Sequence, residues 1–250
     1  MPRFKYSGRI APGCEYHAPE ALEAGEIIAP TIITPPNADW GKVAKYGDTV
    51  PGSSPVSYNP AGDCDGNFMS YKNQPNNNCY AYGTNIATNT FAQPGRASKD
   101  STPWSLGFTA EIVTANAVLD GLIELSQTTI ADLIEQSGYT HGAHGHFVAL
   151  LFSDPEHNVG GDPNADWSGD YHWVRADSVD AVKKTISWSQ KDGGDQVTNF
   201  DFSGNPITDP ATDCWQVNQG PVSKDDDNDM IVSYSFHTYM WVPSSGVEIL

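Results

Sequence analysis

Apolar positions follow two different rhythms along this chain, and the change falls near residue 140. Before it, they recur every three to four residues. FTAEIVTANAVLDGL (108–122) sets Ile112, Ala115, Leu119 and Leu122 at helical spacing, with Thr109 as a cap and Gly121 at the end. SQTTIADLIEQSG (126–138) predicts a second helix, with Ser126 as cap, Ile130, Leu133 and Ile134 as its buried stripe and Gly138 as its stop. A shorter helix, from about Cys79 to Ala87, is expected in NNNCYAYGTNIATNTFAQPG (76–95), capped by Asn77 or Asn78. After residue 140 the pattern is that of strands. GHFVALLF (145–152) is continuously apolar, and DYHWVRAD (170–177) and TISWSQ (185–190) follow it. MIVSYSFHTYMWVP (230–243) alternates, with Tyr234, Phe236, Thr238 and Met240 on one face and Ser233, Ser235, His237, Tyr239 and Trp241 on the other. DGG (192–194) and SGNP (203–206) are turn signals. Helices first and antiparallel strands afterwards predict an α+β domain, with helices packed on a β-meander. Prolines recur through residues 1–60, so that stretch reads as an extended arm packed on a single domain at 61–250.

Charge narrows the function classes. The 250 residues carry 31 acidic and 13 basic side chains, a net −18. Such a surface repels phosphate backbones and anionic membranes, so no nucleic-acid partner is expected. Solubility, in salty surroundings above all, is the plain reading of that charge; attraction for cations, chiefly Ca²⁺, or for a cationic protein partner is the sharper one. No stretch approaches the ~18 apolar residues of a membrane span. The first 25 residues lack the apolar core of a secretory signal, which leaves retention in the cytoplasm, export by another route and a missing leader as alternatives; a secreted or particle-associated protein is expected ahead of a membrane protein.

Four cysteines, Cys14, Cys64, Cys79 and Cys214, form no CxxC pair, which excludes a zinc ribbon. Cys79 is expected in the first turn of a helix, where free N–H groups favour a thiolate. A nucleophilic thiolate needs a base, and the base needs an orienting group. His146 opens one predicted strand and His172 lies on the next, so a helix docked on that face would gather all three. A disulfide to Cys64 and an inert buried thiol are the alternatives.

The order of Asn78-Cys79-Tyr80, Gly145-His146-Phe147-Val148-Ala149 and Tyr171-His172-Trp173 resembles the papain-like fold of the NlpC/P60 and CHAP amidases. That resemblance implies a cysteine amidase or peptidase acting on a peptide or cell-wall-like amide. Cys79 would be its nucleophile, His146 its base and His172 its orienting residue. The chain departs from the amidases' usual Asp-Cys-Ser, and a long insertion with two helices separates Cys79 from His146. NNCYAYGTNIATNTFAQPGRAS, GHFVALLF, DYHWVRAD and WSQKDGGDQVTNFDFSGNPITDP are similar to a group of bacterial proteins with relatives among molluscan insoluble shell-matrix proteins. This longer resemblance implies no particular reaction. With the net charge, it suggests an acidic structural protein that binds Ca²⁺ or a partner.

Metal chemistry competes with both. His141, His144 and His146 in HGAHGH offer three imidazoles, with His157 or His172 as further ligands. A ring nitrogen bound to metal could not also serve as general base. Asp162, Asn164 and Asp166 have the oxygen spacing of a calcium loop, but Trp167 and Trp173 stand where its Gly and Glu belong. Asp63, Asp65 and Asn67, and the run at 224–229, are similar short acidic turns; solvated loops are the alternative for all of them. Apart from Ca²⁺, no cofactor is expected. The tryptophans Trp104, Trp167, Trp173, Trp188, Trp215 and Trp241 are candidates either for a cleft or for core anchors.

Overall fold

The structure, a computed structural model, describes residues 29–52, 68–69, 73–126, 128–135, 139–153, 169–221 and 229–250. Its centre is a six-stranded antiparallel sheet. The strands are β5 (Ile123–Glu124), β6 (Gly145–Ser153), β7 (Asp170–Asp180), β8 (Thr185–Lys191), β9 (Val197–Thr198) and β12 (Ser235–Pro243), in the order β5-β12-β6-β7-β8-β9. The last strand, β12, returns to lie beside β6, so the sheet is not a simple meander. Among the described residues, three two-stranded ribbons accompany it. They pair β1 (Thr31–Ile33) with β2 (Val43–Lys45), β3 (Val50–Pro51) with β4 (Ile86–Ala87), and β10 (Gln216–Pro221) with β11 (Asp229–Ser233). The helices are α1 (Cys79–Gly83), α2 (Ala110–Leu119) and α3 (Ile130–Glu135).

The expected α+β arrangement, helices packed on a meander in the papain-like manner, is therefore corrected: the described residues are predominantly β. The sheet has two buried faces, covered by the short helices, the β10–β11 ribbon and irregular chain. Phe147, Ala149, Leu151, Val174 and Trp188 pack on one face against Leu133 of α3, Phe202 and Trp215. Val148, Leu150, Trp173 and Met240 pack on the other against Tyr80 and Tyr82 of α1 and Val113 and Ala117 of α2. Double burial explains why GHFVALLF is apolar throughout instead of alternating. It also places Trp173, Trp188, Trp215 and Trp241 in the core rather than in a cleft.

Three local expectations shift. In α2 the buried positions are Val113, Thr114, Asn116 and Ala117, one residue on from the expected stripe, and Leu119 is exposed. Polar anchoring sets that rotation. Asn116 Nδ2 donates to the Thr102 carbonyl at 2.8 Å, and its Oδ1 accepts from the Thr102 N–H at 3.0 Å. The cap on α3 is Thr129, whose hydroxyl accepts from the Asp132 N–H, rather than Ser126. The run at 230–243 breaks at Tyr234 into β11 and β12, which belong to different sheets. A bulge between Phe236 and Thr238 then reverses the alternation, so Phe236 packs on Tyr239 with ring centroids 4.6 Å apart.

The described part of the N-terminal arm is pinned to this body. Trp40 Nε1 donates to Ser101 Oγ at 2.8 Å, and its ring meets Trp104 edge-on at 4.9 Å. Among the described residues, no helix is long and apolar enough to cross a membrane.

Candidate functional site

The site is built from the start of α1. Asn78 is its N-cap: the side-chain oxygen accepts from the Ala81 N–H at 3.1 Å, and Nδ2 donates to the Ala92 carbonyl at 2.7 Å. Asn85, at φ 60°, follows the helix end, so α1 stops at Gly83 rather than at Ala87. Cys79 opens the helix as a free thiol, 5% exposed. Its Sγ–H donates to the Tyr171 carbonyl at 3.9 Å. Burial, and then the nearby Asp170 carboxylate, push this thiol well above its ordinary pKa. These influences outweigh the turn of free amides that the sequence promised, and the proton stays on sulfur.

Cys79 lines a cavity of about 110 Å³ at the beginning of β7, together with Asn78, Gln93, Asp170, His172 and Asp192. His146 is not among its lining residues. His146 Nε2–H donates to the Gly83 carbonyl at 2.7 Å, at the opposite end of α1, about 6 Å along the helix axis from Cys79. Burial drives its pKa down to about 3, so the ring is neutral.

His172 does reach the cavity, but it is separated from His146. It pairs with Leu151, five residues beyond His146 on β6, or ~17 Å along the strand. Parity puts the two rings on opposite faces of the sheet. His172 sits among Phe202, Trp215 and Tyr234, with ring centroids 5.2 to 6.0 Å away. Its Nε2–H donates to Gln190 Oε1 at 2.7 Å, because the Gln190 amide nitrogen is itself committed to the Phe200 carbonyl. Burial lowers its pKa to about 4. The structure thus brings Cys79 and His172 to one cavity and leaves His146 elsewhere.

The insoluble matrix shell protein 1 of Ruditapes philippinarum is 34% identical over 151 residues, covering 60% of this chain and 76% of that protein. The chain belongs to the family of that shell protein. The relative's name describes an insoluble matrix component and mentions no reaction. No family model matches the chain, and no solved structure matches it.

In this member of the shell-matrix family the candidate metal ligands do not converge. His141 stacks on Phe147 at 6.3 Å, His144 is exposed, and His146 is bound to the main chain. Asp162, Asn164 and Asp166 lie outside the described residues, as do His157, Asp63, Asp65 and Asn67. Among the described residues, no group of three or more His, Cys, Asp and Glu is placed to hold a metal ion.

Sequence reasoning missed the groups that give the cavity its character. Asp192 is 8% exposed, and its Oδ2 has no hydrogen-bond partner. Burial, with Asp195 and Asp170 adding to it, pushes its pKa up to about 7. Asp170 accepts from the Tyr171 N–H and from Tyr234 Oη–H, each at 2.8 Å. Lys191, fully buried, donates to the carbonyls of Gln74, Asn77 and Gly193. The only signal in the sequence was a Lys-Asp pair ahead of the Gly-Gly turn that follows β8.

Proposed function

We propose that this protein is an acidic structural or binding component of an extracellular or particle-associated matrix, engaging Ca²⁺ or a cationic partner through its carboxylate-rich surface. The observation that carries this reading is the family relationship with an insoluble shell-matrix protein. The excess of 31 acidic over 13 basic side chains supports it, because a field of that sign concentrates cations at the surface. Titration calorimetry with Ca²⁺ at low ionic strength tests it. Heat, and a rise in unfolding temperature larger than K⁺ produces at equal ionic strength, are expected at millimolar Ca²⁺. No heat and no thermal shift would remove the calcium arm of the reading.

A cysteine hydrolase is the second reading, and one observation favours it: Cys79 and His172 line the same cavity. It requires the thiol to ionise near neutral pH, against the burial and the Asp170 carboxylate that hold its proton on. Iodoacetamide labelling at neutral pH separates the two readings. The matrix reading expects the exposed Cys214 to label and Cys79 to lag well behind free cysteine. Labelling of Cys79 faster than free cysteine, abolished in Cys79→Ala, would favour the hydrolase.

A further inference from the structure

We propose that the cavity between the start of α1 and the start of β7 is a binding site for a small primary ammonium group, with Asp192 as its anchor. Hydrogen-bond supply in the cavity points to that occupant. Buried carboxylates are ordinarily paired, because an unpaired one forfeits its hydration with nothing in return. Asp192 is 8% exposed and lines the cavity, and its Oδ2 has no partner. The adjacent ammonium cannot serve it. Lys191 Nζ donates to the Gln74, Asn77 and Gly193 carbonyls at 2.8, 2.5 and 2.8 Å, which commits all three of its protons.

The other wall groups offer acceptors and withhold donors. Asp170 accepts one hydrogen bond on each oxygen, and each oxygen has a second lone pair to offer. The Cys79 S–H is directed to the Tyr171 carbonyl, and Asn78 Nδ2 to the Ala92 carbonyl. Tyr171 Oη–H is given to Gln93 Oε1 at 2.6 Å. A cavity that presents two carboxylates and keeps its donors engaged elsewhere selects an occupant that is cationic and rich in N–H.

Size and shape narrow the class. The volume, about 110 Å³, exceeds the 10–15 Å³ that one water needs on the same measure and suits an occupant of a few heavy atoms. Ca²⁺ takes six to eight oxygens, and two carboxylates fall well short of that. Phe91 and Tyr171 contribute aromatic wall, which suits a short alkyl stem and adds cation–π attraction. This site is separate from the surface proposed to engage Ca²⁺, and either can fail without the other.

Saturation-transfer NMR with ethylammonium chloride on the full chain at pH 8, above the raised pKa of Asp192, provides the test. Transfer to the ethyl protons is expected in wild type and in Asp100→Asn, a substitution at an exposed carboxylate. In Asp192→Asn the affinity should fall about tenfold or more. A measurement on wild type alone guards against misfolding of that variant: ethanol, the uncharged analogue, should show no transfer at the same concentration. Three results would overturn the site: no transfer from wild type, equal transfer in Asp192→Asn, or ethanol binding as well as ethylammonium.

Discussion

Lys191 shows what single residues do here. Its ammonium holds the turn before α1 and the turn after β8 together through three main-chain carbonyls. Lys191→Met would keep the stem's packing and strip those carbonyls of their donor, at a cost of about 3 kcal/mol or more. The free energy from urea unfolding should fall by that amount with an unchanged m-value. At this scale the sequence was partly legible. Asn78 announced the cap and Cys79 the helix start, because capping is a local contest between a side chain and four free amides. The thiol's ionisation was not legible. It depends on Asp170 and on burial beneath β7, more than ninety residues downstream in the chain.

Among elements, α2 separates periodicity from anchoring. Its apolar spacing nominated Leu119 for the core, whereas the two hydrogen bonds of Asn116 to Thr102 turn the helix so that Leu119 is 46% exposed. Asn116→Ala should therefore cost about 2 kcal/mol by stranding both main-chain groups of Thr102. Leu119→Ala should stay within about 0.5 kcal/mol of wild type. Thermal or urea unfolding of the pair checks this, and a larger loss in Leu119→Ala would refute the orientation. The strands β6, β7 and β8 were legible because β-branched and aromatic runs bounded by turn residues report a buried strand directly. The bulge at His237 and the break at Tyr234 were not, since both arise from which partner each half of the run meets. The fold class failed for the same reason: local patterns name single strands, but not the large sheet that they join or what lies over it.

At the scale of the whole molecule, burial of ionisable groups sets an unusual dependence on pH. Asp120, Asp170 and Asp192 are raised to about 7, 6 and 7, so the folded chain holds protons there that the unfolded chain, at 3.8, has released. Their contribution to stability falls as pH rises from about 4 to 7. His146 and His172, lowered to about 3 and 4 from 6.5, act oppositely: the unfolded chain takes up the protons, and stability rises with pH up to 6.5. Lys191, lowered by burial to about 7 from 10.5, adds to stability only above pH 7, so below it three carboxyls against two imidazoles leave the carboxyls ahead, and the net −18 adds self-repulsion as pH climbs. The unfolding temperature should thus be higher near pH 5 than near pH 7.5, and added NaCl should raise it at the higher pH by screening. A temperature that climbs steadily from pH 5 to 8 would contradict this balance.

Apolar layers press on the central sheet from both sides, and among the described residues β6 and the first two-thirds of β7 are almost wholly buried. In deuterated buffer their amides should be the last to exchange, released only when the entire chain opens. The short ribbons would exchange earlier, through local fraying. The kernel that keeps this protein folded is then two neighbouring strands, and the surface that meets its surroundings is free to vary around them.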